Sequence, residues 1–201
     1  LGYVYLPKVY LIPPPVCNPR GSPMVNLLPL GAGERVTSIL PVEEYAEGHY
    51  IFMATANGTV KKTPLTDFAR RRSVGLRALH LDDDDVLVGT AITQGDCDVM
   101  LFSSEGKAVR FKETDVRSMG RTARGIRGIR LGEGYTMISL IIPQPDGMVL
   151  SVSENGYGKR TQIEGFPTKG RGGKGLIAMS TSDRNGKMVG AVQVFDGDEL
   201  M

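Results

Sequence analysis

The residues of this sequence best suited to chemistry are arginines and lysines that recur in glycine-containing stretches. The run Arg70-Arg71-Arg72 places three guanidinium groups side by side, and a second group repeats at intervals of three or four residues. This second group comprises Arg117, Arg121, Arg124, Arg127 and Arg130. Guanidinium groups bind phosphate oxygens through short charge-assisted hydrogen bonds. Because glycines interrupt the second group, we expect loops and strands here rather than a basic helix, and the pattern predicts contacts with a polyanion.

A glycine-rich loop is a second candidate anion site. Its members are Gly170, Arg171, Gly172, Gly173, Lys174 and Gly175. Glycines let backbone N–H groups approach a phosphate closely, so the loop offers both hydrogen-bond donors and charge. A nucleotide-binding P-loop needs Gly-Lys followed by Ser or Thr between a strand and a helix. Here Lys174 is followed by Gly175, so we expect no ATP site in this chain.

The residue types of enzymatic and metal sites are sparse. The two cysteines, Cys17 and Cys97, lie 80 residues apart and outside any Cys-x-x-Cys pair, so we interpret both as buried or incidental thiols. The two histidines, His49 and His80, have no nucleophile or paired acid at catalytic spacing. The run Asp82–Asp85 lacks the spacing of a calcium loop and is interpreted as a solvated turn. We therefore expect no catalytic residue, metal or cofactor in this chain.

Three segments follow one template that must position these groups. Each segment has two apolar runs, a turn signal, a returning basic strand, a loop, a glycine and a last apolar stretch. The first runs are 36–42, 86–92 and 137–142, and the second runs are 50–54, 98–102 and 148–152. The turn signals are Asn57-Gly58, Glu105-Gly106 and Asn155-Gly156. Asn-Gly is a strong hairpin signal because type I′ turns require positive φ at both positions.

The repeat has a period close to 50 residues. Its late glycines, Gly75, Gly125 and Gly175, are each 50 residues apart. That period is typical of propeller blades of four short strands, and the 26 glycines and 12 prolines argue against a helical bundle. We therefore expect an all-β, propeller-like domain, and the chain to be a fragment of a longer array. The predicted units are 34–81, 85–131 and 135–181, flanked by partial units 1–30 and 187–201, with strand material at 3–5 and 9–12.

Charge is segregated by position in the repeat. The chain of 201 residues has a formal net charge of only +2. Residues 61–77, 107–131 and 159–174 carry +5, +6 and +4, which leaves −13 on the rest of the chain. The same strand and loop are basic in every unit. An array of units would therefore present a continuous basic band, complementary in charge to a polyanion. No run of about 18 apolar residues and no signal peptide is visible, which predicts a cytoplasmic protein without a membrane partner.

Several of these segments resemble the C-terminal DNA-wrapping domain of bacterial DNA gyrase A, which is part of a type IIA topoisomerase. The resemblance runs from about residue 24 to the end and rests on 25–30, 52–63, 99–103, 106–113, 125–131 and 155–161. It implies a β-pinwheel, in which each blade lends a strand to its neighbour, and a right-handed wrap of duplex DNA around the rim. It also implies partners in the rest of gyrase A and in gyrase B, negative supercoiling by the holoenzyme, ATP and Mg²⁺ bound elsewhere, and a location at the nucleoid.

The resemblance and the basic repeat positions together predict the DNA contacts. The predicted contact residues are Lys61, Lys62, Arg70, Arg71, Arg72, Arg77, Arg110, Lys112, Arg117, Arg121, Arg124, Arg127, Lys159, Arg160, Lys169, Arg171 and Lys174. Contacts of this kind neutralise phosphates without reading bases, so sequence specificity should be low. Two alternatives remain open: a C-terminal domain of topoisomerase IV, and a protein-binding propeller.

Two departures from the family pattern stand out. Residues 14–23, with Cys17 and adjoining prolines, differ from the small basic loop that the family has there. The family's signature box, Gln-Arg-Arg-Gly-Gly-Lys-Gly, belongs to the first blade and would lie upstream of residue 1. Arg171–Gly175 repeats five of its seven positions in the corresponding loop of a later blade. We interpret this stretch as a box-like loop rather than as the box itself.

Overall fold

The computed structural model describes residues 2–14, 21–70 and 74–200. These ranges contain β-strands and short 3-10 turns and no α-helix, as the sequence predicts. The strands are β1 Tyr3–Val4, β2 Tyr50–Thr55, β3 Thr59–Pro64, β4 Leu76–Arg77, β5 Leu87–Thr93, β6 Asp98–Ser103, β7 Lys107–Lys112, β8 Ile126–Arg127, β9 Met137–Ile141, β10 Met148–Ser153, β11 Gly158–Gln162, β12 Leu176–Ile177 and β13 Met188–Val194. The 3-10 turns are Val9–Leu11, Met24–Asn26, Leu65–Phe68, Glu113–Asp115 and Ile163–Gly165. Among the described residues, no helix has the length and apolar character needed to cross a bilayer.

Three antiparallel hairpins form at the predicted turns. They pair β2 with β3, β6 with β7, and β10 with β11. The second turn residue is in the left-handed region each time, with φ of 79°, 81° and 80° at Gly58, Gly106 and Gly156. At Gly106 a Cβ would also lie 2.2 Å from the carbonyl oxygen of Met179. Glycine is therefore needed there both for the turn and for close packing by the end of the next repeat.

Each hairpin is completed by strands from the following repeat. One sheet has the order β5-β2-β3-β8 and the next has the order β9-β6-β7-β12. Thus Val60 of β3 pairs with Ile126 of β8, and Ala108 of β7 pairs with Leu176 of β12. The two smaller sheets are β13-β10-β11 and β1-β4. This is the strand exchange that the resemblance implies, so each four-stranded sheet combines two sequence repeats.

The core lies between successive sheets. In β6, Val99 and Leu101 face a cluster that includes Phe52, while Met100 and Phe102 face a second cluster. The second cluster includes Val149, Phe166 and Met188. Because both faces of β6 are buried, its sequence is a continuous apolar run and does not alternate with polar residues. The strands β5, β9 and β13 contact one another in that order, which brings successive sheets together.

Two segments predicted as strands have another conformation. Residues 9–11 form a 3-10 turn, and Ile12 N, just after it, donates to Val9 O at 3.0 Å. Residues 36–42 form no strand. The equivalent strands β5, β9 and β13 each pair with the hairpin of the preceding repeat, and the described residues before 36 contain no such hairpin. A strand without a pairing partner leaves its backbone groups to water.

Candidate nucleic-acid interface

The basic loops of the second and third repeats are each attached to the repeat before. After the 3-10 turn Glu113–Asp115, Met119 N donates to Lys62 O at 2.8 Å. After the turn Ile163–Gly165, Lys169 N donates to Arg110 O at 2.7 Å. The two acceptors are equivalent, because each lies four residues after its hairpin glycine. Successive basic loops therefore sit at the same place on successive returning strands.

Most predicted DNA-contact residues are exposed on these strands and loops. The exposed ones are Arg70, Arg77, Lys112, Arg117, Arg124, Arg127, Lys159, Arg160, Lys169, Arg171 and Lys174. Arg121 is half-buried, whereas Arg71 and Arg72 lie outside the described residues. The stretch 117–130 is not helical, as the glycines that interrupt its arginines predict. The structure thus places most of these cations on the surface of the returning strands and the loops that follow them.

Lys61 and Lys62 correct the expectation that both contact DNA. Lys61 has no exposed surface, and Lys62 is 6% exposed. The Lys62 ammonium lies 3.6 Å from Glu113 Oε1, 3.3 Å from Glu113 O and 4.8 Å from the centre of the Tyr50 ring. The Lys61 ammonium donates to Ala78 O at 2.8 Å and to Arg121 O. Neither ammonium is available to a phosphate, because both are used inside the protein.

Arg110 is also largely occupied within the protein. Its guanidinium donates to Asp98 Oδ2 at 2.7 Å and to the backbone oxygens of Ile163 and Phe166 at 3.0 and 3.2 Å. Lys112 is exposed but pairs with the other oxygen of Asp98 at 2.6 Å. Burial raises the pKa of Asp98, but hydrogen bonds from Lys112 and Arg110 outweigh it and hold the pKa below its ordinary value. Arg110 therefore joins two repeats, while Lys112 remains accessible.

Two exposed cations form ion pairs that a phosphate can displace. Arg124 Nη1 lies 3.1 Å from Asp82 Oδ1, and Arg160 Nη1 lies 3.2 Å from Asp196 Oδ1. All four side chains are more than half exposed. Exposed pairs of this kind contribute about 0–1 kcal/mol. Replacement of either carboxylate by a phosphate therefore has a small energetic cost.

The box-like loop lies against the residues that flank the preceding basic loop 117–124. Arg171 donates through Nε to Asp115 O at 2.9 Å and through Nη1 to Arg127 O at 3.0 Å. Gly172, with φ of 77°, donates its N–H to Gly128 O at 2.7 Å. A cleft of about 220 Å³ separates the loop from β7, and Lys169 and Lys174 are among the residues that line it. The loop thus combines exposed charge with a backbone that is fixed to its neighbour.

A buried carboxylate that the sequence analysis missed organises the second repeat. Glu113 has no exposed surface and accepts hydrogen bonds from Thr93 Oγ1 at 2.6 Å, Gly95 N at 3.0 Å and Cys97 Sγ at 3.0 Å. Leu65 and Ile163 occupy the same repeat position. The sequence signal for this buried carboxylate was an acid at a repeat position that is apolar in the other two repeats.

The thiol of Cys97 is bonded to the same carboxylate. Burial and the Glu113 hydrogen bond raise the pKa of Cys97 to about 12. The described residues contain no group of three or more His, Cys, Asp or Glu side chains that could hold a metal ion.

Comparison with known proteins identifies the architecture and the family. The family model described as the DNA gyrase C-terminal domain, β-propeller, matches residues 49–94, 98–144 and 147–194. The chain belongs to this family. The gyrase C-terminal fold is also that of the solved structure of a DNA gyrase A C-terminal domain, with a TM-score of 0.82 and 28% identity. That match covers 96% of this chain and 62% of the other.

Relatives of the gyrase family give the same assignment. The chain is 56% identical to DNA gyrase A of Escherichia coli strain K12 over 200 residues, covering all of this chain. It spans 23% of the length of that relative. The crystal structure of a DNA topoisomerase IV C-terminal domain is similar as well, with a TM-score of 0.80 and 27% identity over 88% of this chain and 55% of the other. The fold is thus common to both domains, at nearly equal identity, and the 56% identity over the whole chain is to gyrase.

Proposed function

We propose that this chain binds duplex DNA along the exposed basic loops and bends the duplex around them. The observation that carries this proposal is the arrangement of the loops 117–124 and 166–175, each attached at the equivalent carbonyl of the preceding repeat. Equivalent cations therefore recur once per sheet along one side of the array. A regular series of phosphate-binding groups is suited to a ligand with regularly spaced negative charge.

The proposed contacts are to the backbone of the duplex. The exposed arginines and lysines lie on loops and on short strands, and no α-helix in the described part of the chain is available to enter a major groove. Contacts to phosphates position the duplex without reading its sequence. Bending 20–30 base pairs costs on the order of 1–6 kcal/mol, which several modest contacts distributed over successive repeats can offset.

The larger role proposed for the domain is within a gyrase holoenzyme in the bacterial cytoplasm. There the wrapped segment would be presented for strand passage and would direct the enzyme towards negative supercoiling. Cleavage, ATP hydrolysis and Mg²⁺ binding are assigned to the rest of gyrase A and to gyrase B. In this proposal the chain contributes binding surface and no catalytic group or cofactor.

Salt-dependent binding to a duplex tests the proposal. The affinity of the chain for a duplex of about 40 base pairs is measured between about 50 and 300 mM salt, for wild type and for Arg117→Glu and Arg124→Glu. Each variant should bind more weakly, and its log–log salt slope should fall by about one for each phosphate that is no longer neutralised. Arg184→Glu is the matched control, because Arg184 is an exposed arginine outside the basic loops that packs on Tyr157 at 5.0 Å.

The outcomes separate the DNA-binding function from the alternatives. Equal affinity and slope for all four proteins would refute the basic-loop assignment, and absence of salt-dependent binding would favour a protein-binding propeller.

Ligating a nicked plasmid in the presence of the chain then tests wrapping. A right-handed wrap leaves positive supercoils in the closed product. An unchanged linking number would refute wrapping by this chain, and an intact parent protein that fails to support negative supercoiling would favour a topoisomerase IV type of domain.

A further inference from the structure

Lys61 is a buried cation that the proposed DNA interface does not use. It lies in β3 with no exposed surface, and its ammonium donates to two backbone oxygens. One acceptor, Ala78 O, belongs to the last apolar stretch of its own repeat, and the other, Arg121 O, belongs to the basic loop of the next repeat. A single side chain thus connects β3, residue 78 and the loop 117–124.

The fold does not require a lysine at this repeat position. Three residues after the hairpin glycine stand Lys61, Val109 and Lys159 in successive repeats. Val109 is buried and belongs to the apolar core, whereas Lys159 is exposed. An apolar side chain therefore fills the buried form of this position in the second repeat. Burying an ammonium is energetically unfavourable unless it is hydrogen-bonded. Burial first and the charge of Arg121 second lower the pKa of Lys61 to about 8, and the charge of Asp67 opposes them.

Besides Lys61, the loop is attached near Arg121 by Met119, which is buried in the apolar core, by the exposed Arg124–Asp82 pair and by two backbone hydrogen bonds. Met119 N donates to Lys62 O at 2.8 Å, and Ala123 N donates to Gly120 O within the loop at 3.1 Å. In the third repeat, Arg171 occupies the position of Arg121 and anchors its own loop through its guanidinium. In the second repeat the anchor comes instead from the preceding strand and uses only the Arg121 carbonyl.

We propose that Lys61 is a positioning residue that holds the loop 117–124 in the conformation that binds the phosphate backbone of duplex DNA. The inference rests on the proposed function of that loop. Its consequence is that Lys61 affects DNA affinity without contacting DNA. A residue that preorganises a loop lowers the ordering cost of binding and leaves the number of phosphates neutralised unchanged.

Replacement of Lys61 by methionine tests the proposal by two measurements. Lys61→Met keeps an unbranched side chain that is one heavy atom shorter and removes both hydrogen bonds. Hydrogen exchange of the backbone amides of residues 117–124 should become about tenfold faster or more, since the Arg121 carbonyl in this loop loses its donor. Affinity for a duplex of about 40 base pairs should fall on the order of three- to tenfold at constant salt slope. Lys61→Val, which copies the second repeat, is the second variant if the methionine variant does not fold.

Lys159→Met is the matched control at the same repeat position. Because Lys159 is exposed, its removal should reduce the salt slope by about one and leave exchange in 117–124 unchanged. Unchanged exchange in the Lys61 variant, or faster exchange with unaltered affinity, would overturn the positioning role. If the salt slope of the Lys61 variant falls by about one, as expected for Lys159→Met, Lys61 contacts DNA directly. That result would also overturn the positioning role. If wild type shows no salt-dependent binding, the proposed function fails, while the exchange result still reports whether Lys61 holds the loop.

Discussion

Lys62 and Arg110 occupy the same position in successive repeats and make the same contact. Each donates to the backbone oxygen of the first residue in the next repeat's 3-10 turn, at 3.3 Å for Lys62 to Glu113 and 3.0 Å for Arg110 to Ile163. Each also reaches a buried or largely buried carboxylate, Glu113 or Asp98. A base on this strand thus connects one repeat with the next. The contact between repeats therefore accounts for a basic residue at this position in both repeats, without a contact to DNA.

This relationship predicts that Lys62 contributes mainly to stability. Lys62→Met should lower the free energy of unfolding by about 3–5 kcal/mol, because the variant leaves the buried Glu113 carboxylate without its cation. Lys112→Met is the control, since Lys112 is exposed and its partner Asp98 keeps Arg110. The control should cost only about 0–1 kcal/mol. Urea unfolding measures both, and equal losses of stability would contradict the assignment of Lys62 to the junction.

The hairpin glycines allow backbone strain to be separated from close packing. Gly106 and Gly156 have nearly the same φ, but a Cβ at Gly106 meets Met179 O at 2.2 Å, whereas one at Gly156 meets nothing within 4 Å. Gly156→Ala should therefore show only the cost of positive φ, about 1 kcal/mol. Gly106→Ala should cost at least about 1 kcal/mol more, because the end of the next repeat must move. Thermal unfolding of the two variants measures the difference, and similar melting temperatures would refute the packing argument.

The hairpins could be predicted from sequence because their determinants are local. Asn57-Gly58 and the β-branched runs beside it specify a turn and two strands over residues 50–64. The pairing partners β8 and β12 could be recognised as apolar segments, but their sheets could not be assigned without the family resemblance. That assignment depends on contacts between positions 66 to 70 residues apart, such as Val60 with Ile126 and Lys107 with Ile177, and no local pattern encodes them.

The candidate interface was predictable as a set of loops but less so residue by residue. The distribution of charge locates the basic stretches, and most of their cations are exposed. Lys61 and Lys159 have the same residue type at the same repeat position, yet one is buried and the other exposed. Their difference arises from the next repeat, whose loop covers Lys61 and has no counterpart over Lys159 among the described residues. Sequence periodicity alone treats the two lysines as equivalent.

Cys97 should be a poorly reactive thiol in the folded protein. Its pKa is raised from 9.0 to about 12 by burial first and by the Glu113 hydrogen bond second, and only the thiolate is nucleophilic. At about pH 8 the reaction of native Cys17→Ser protein with iodoacetamide should be about a thousandfold slower than that of the same protein in urea, from the difference in thiolate fraction. Alkylation followed by mass spectrometry measures both rates. Comparable rates would show that the thiol is accessible and ionised at an ordinary pKa.

The lowered pKa of Lys61 predicts a specific pH dependence of stability. Because the pKa falls from 10.5 in the unfolded chain to about 8 in the folded one, the unfolded state binds more protons than the folded state between these values. Stability from this group therefore rises with pH from about 8 to 10.5, and its unfavourable contribution is complete below about pH 8. In Lys61→Met that contribution is absent. The free energy of unfolding of wild type minus that of the variant should thus increase between about pH 7.5 and 10 in urea titrations.

Comparing wild type with Lys61→Met removes the effect of the other groups that titrate at high pH. Tyr5 and Cys97, whose pKa values are raised to about 12, also affect stability there, but they do so equally in both proteins and cancel in the difference. Only the ammonium of Lys61 distinguishes the two proteins. A difference that stays constant with pH would therefore contradict the burial of a charged Lys61 ammonium.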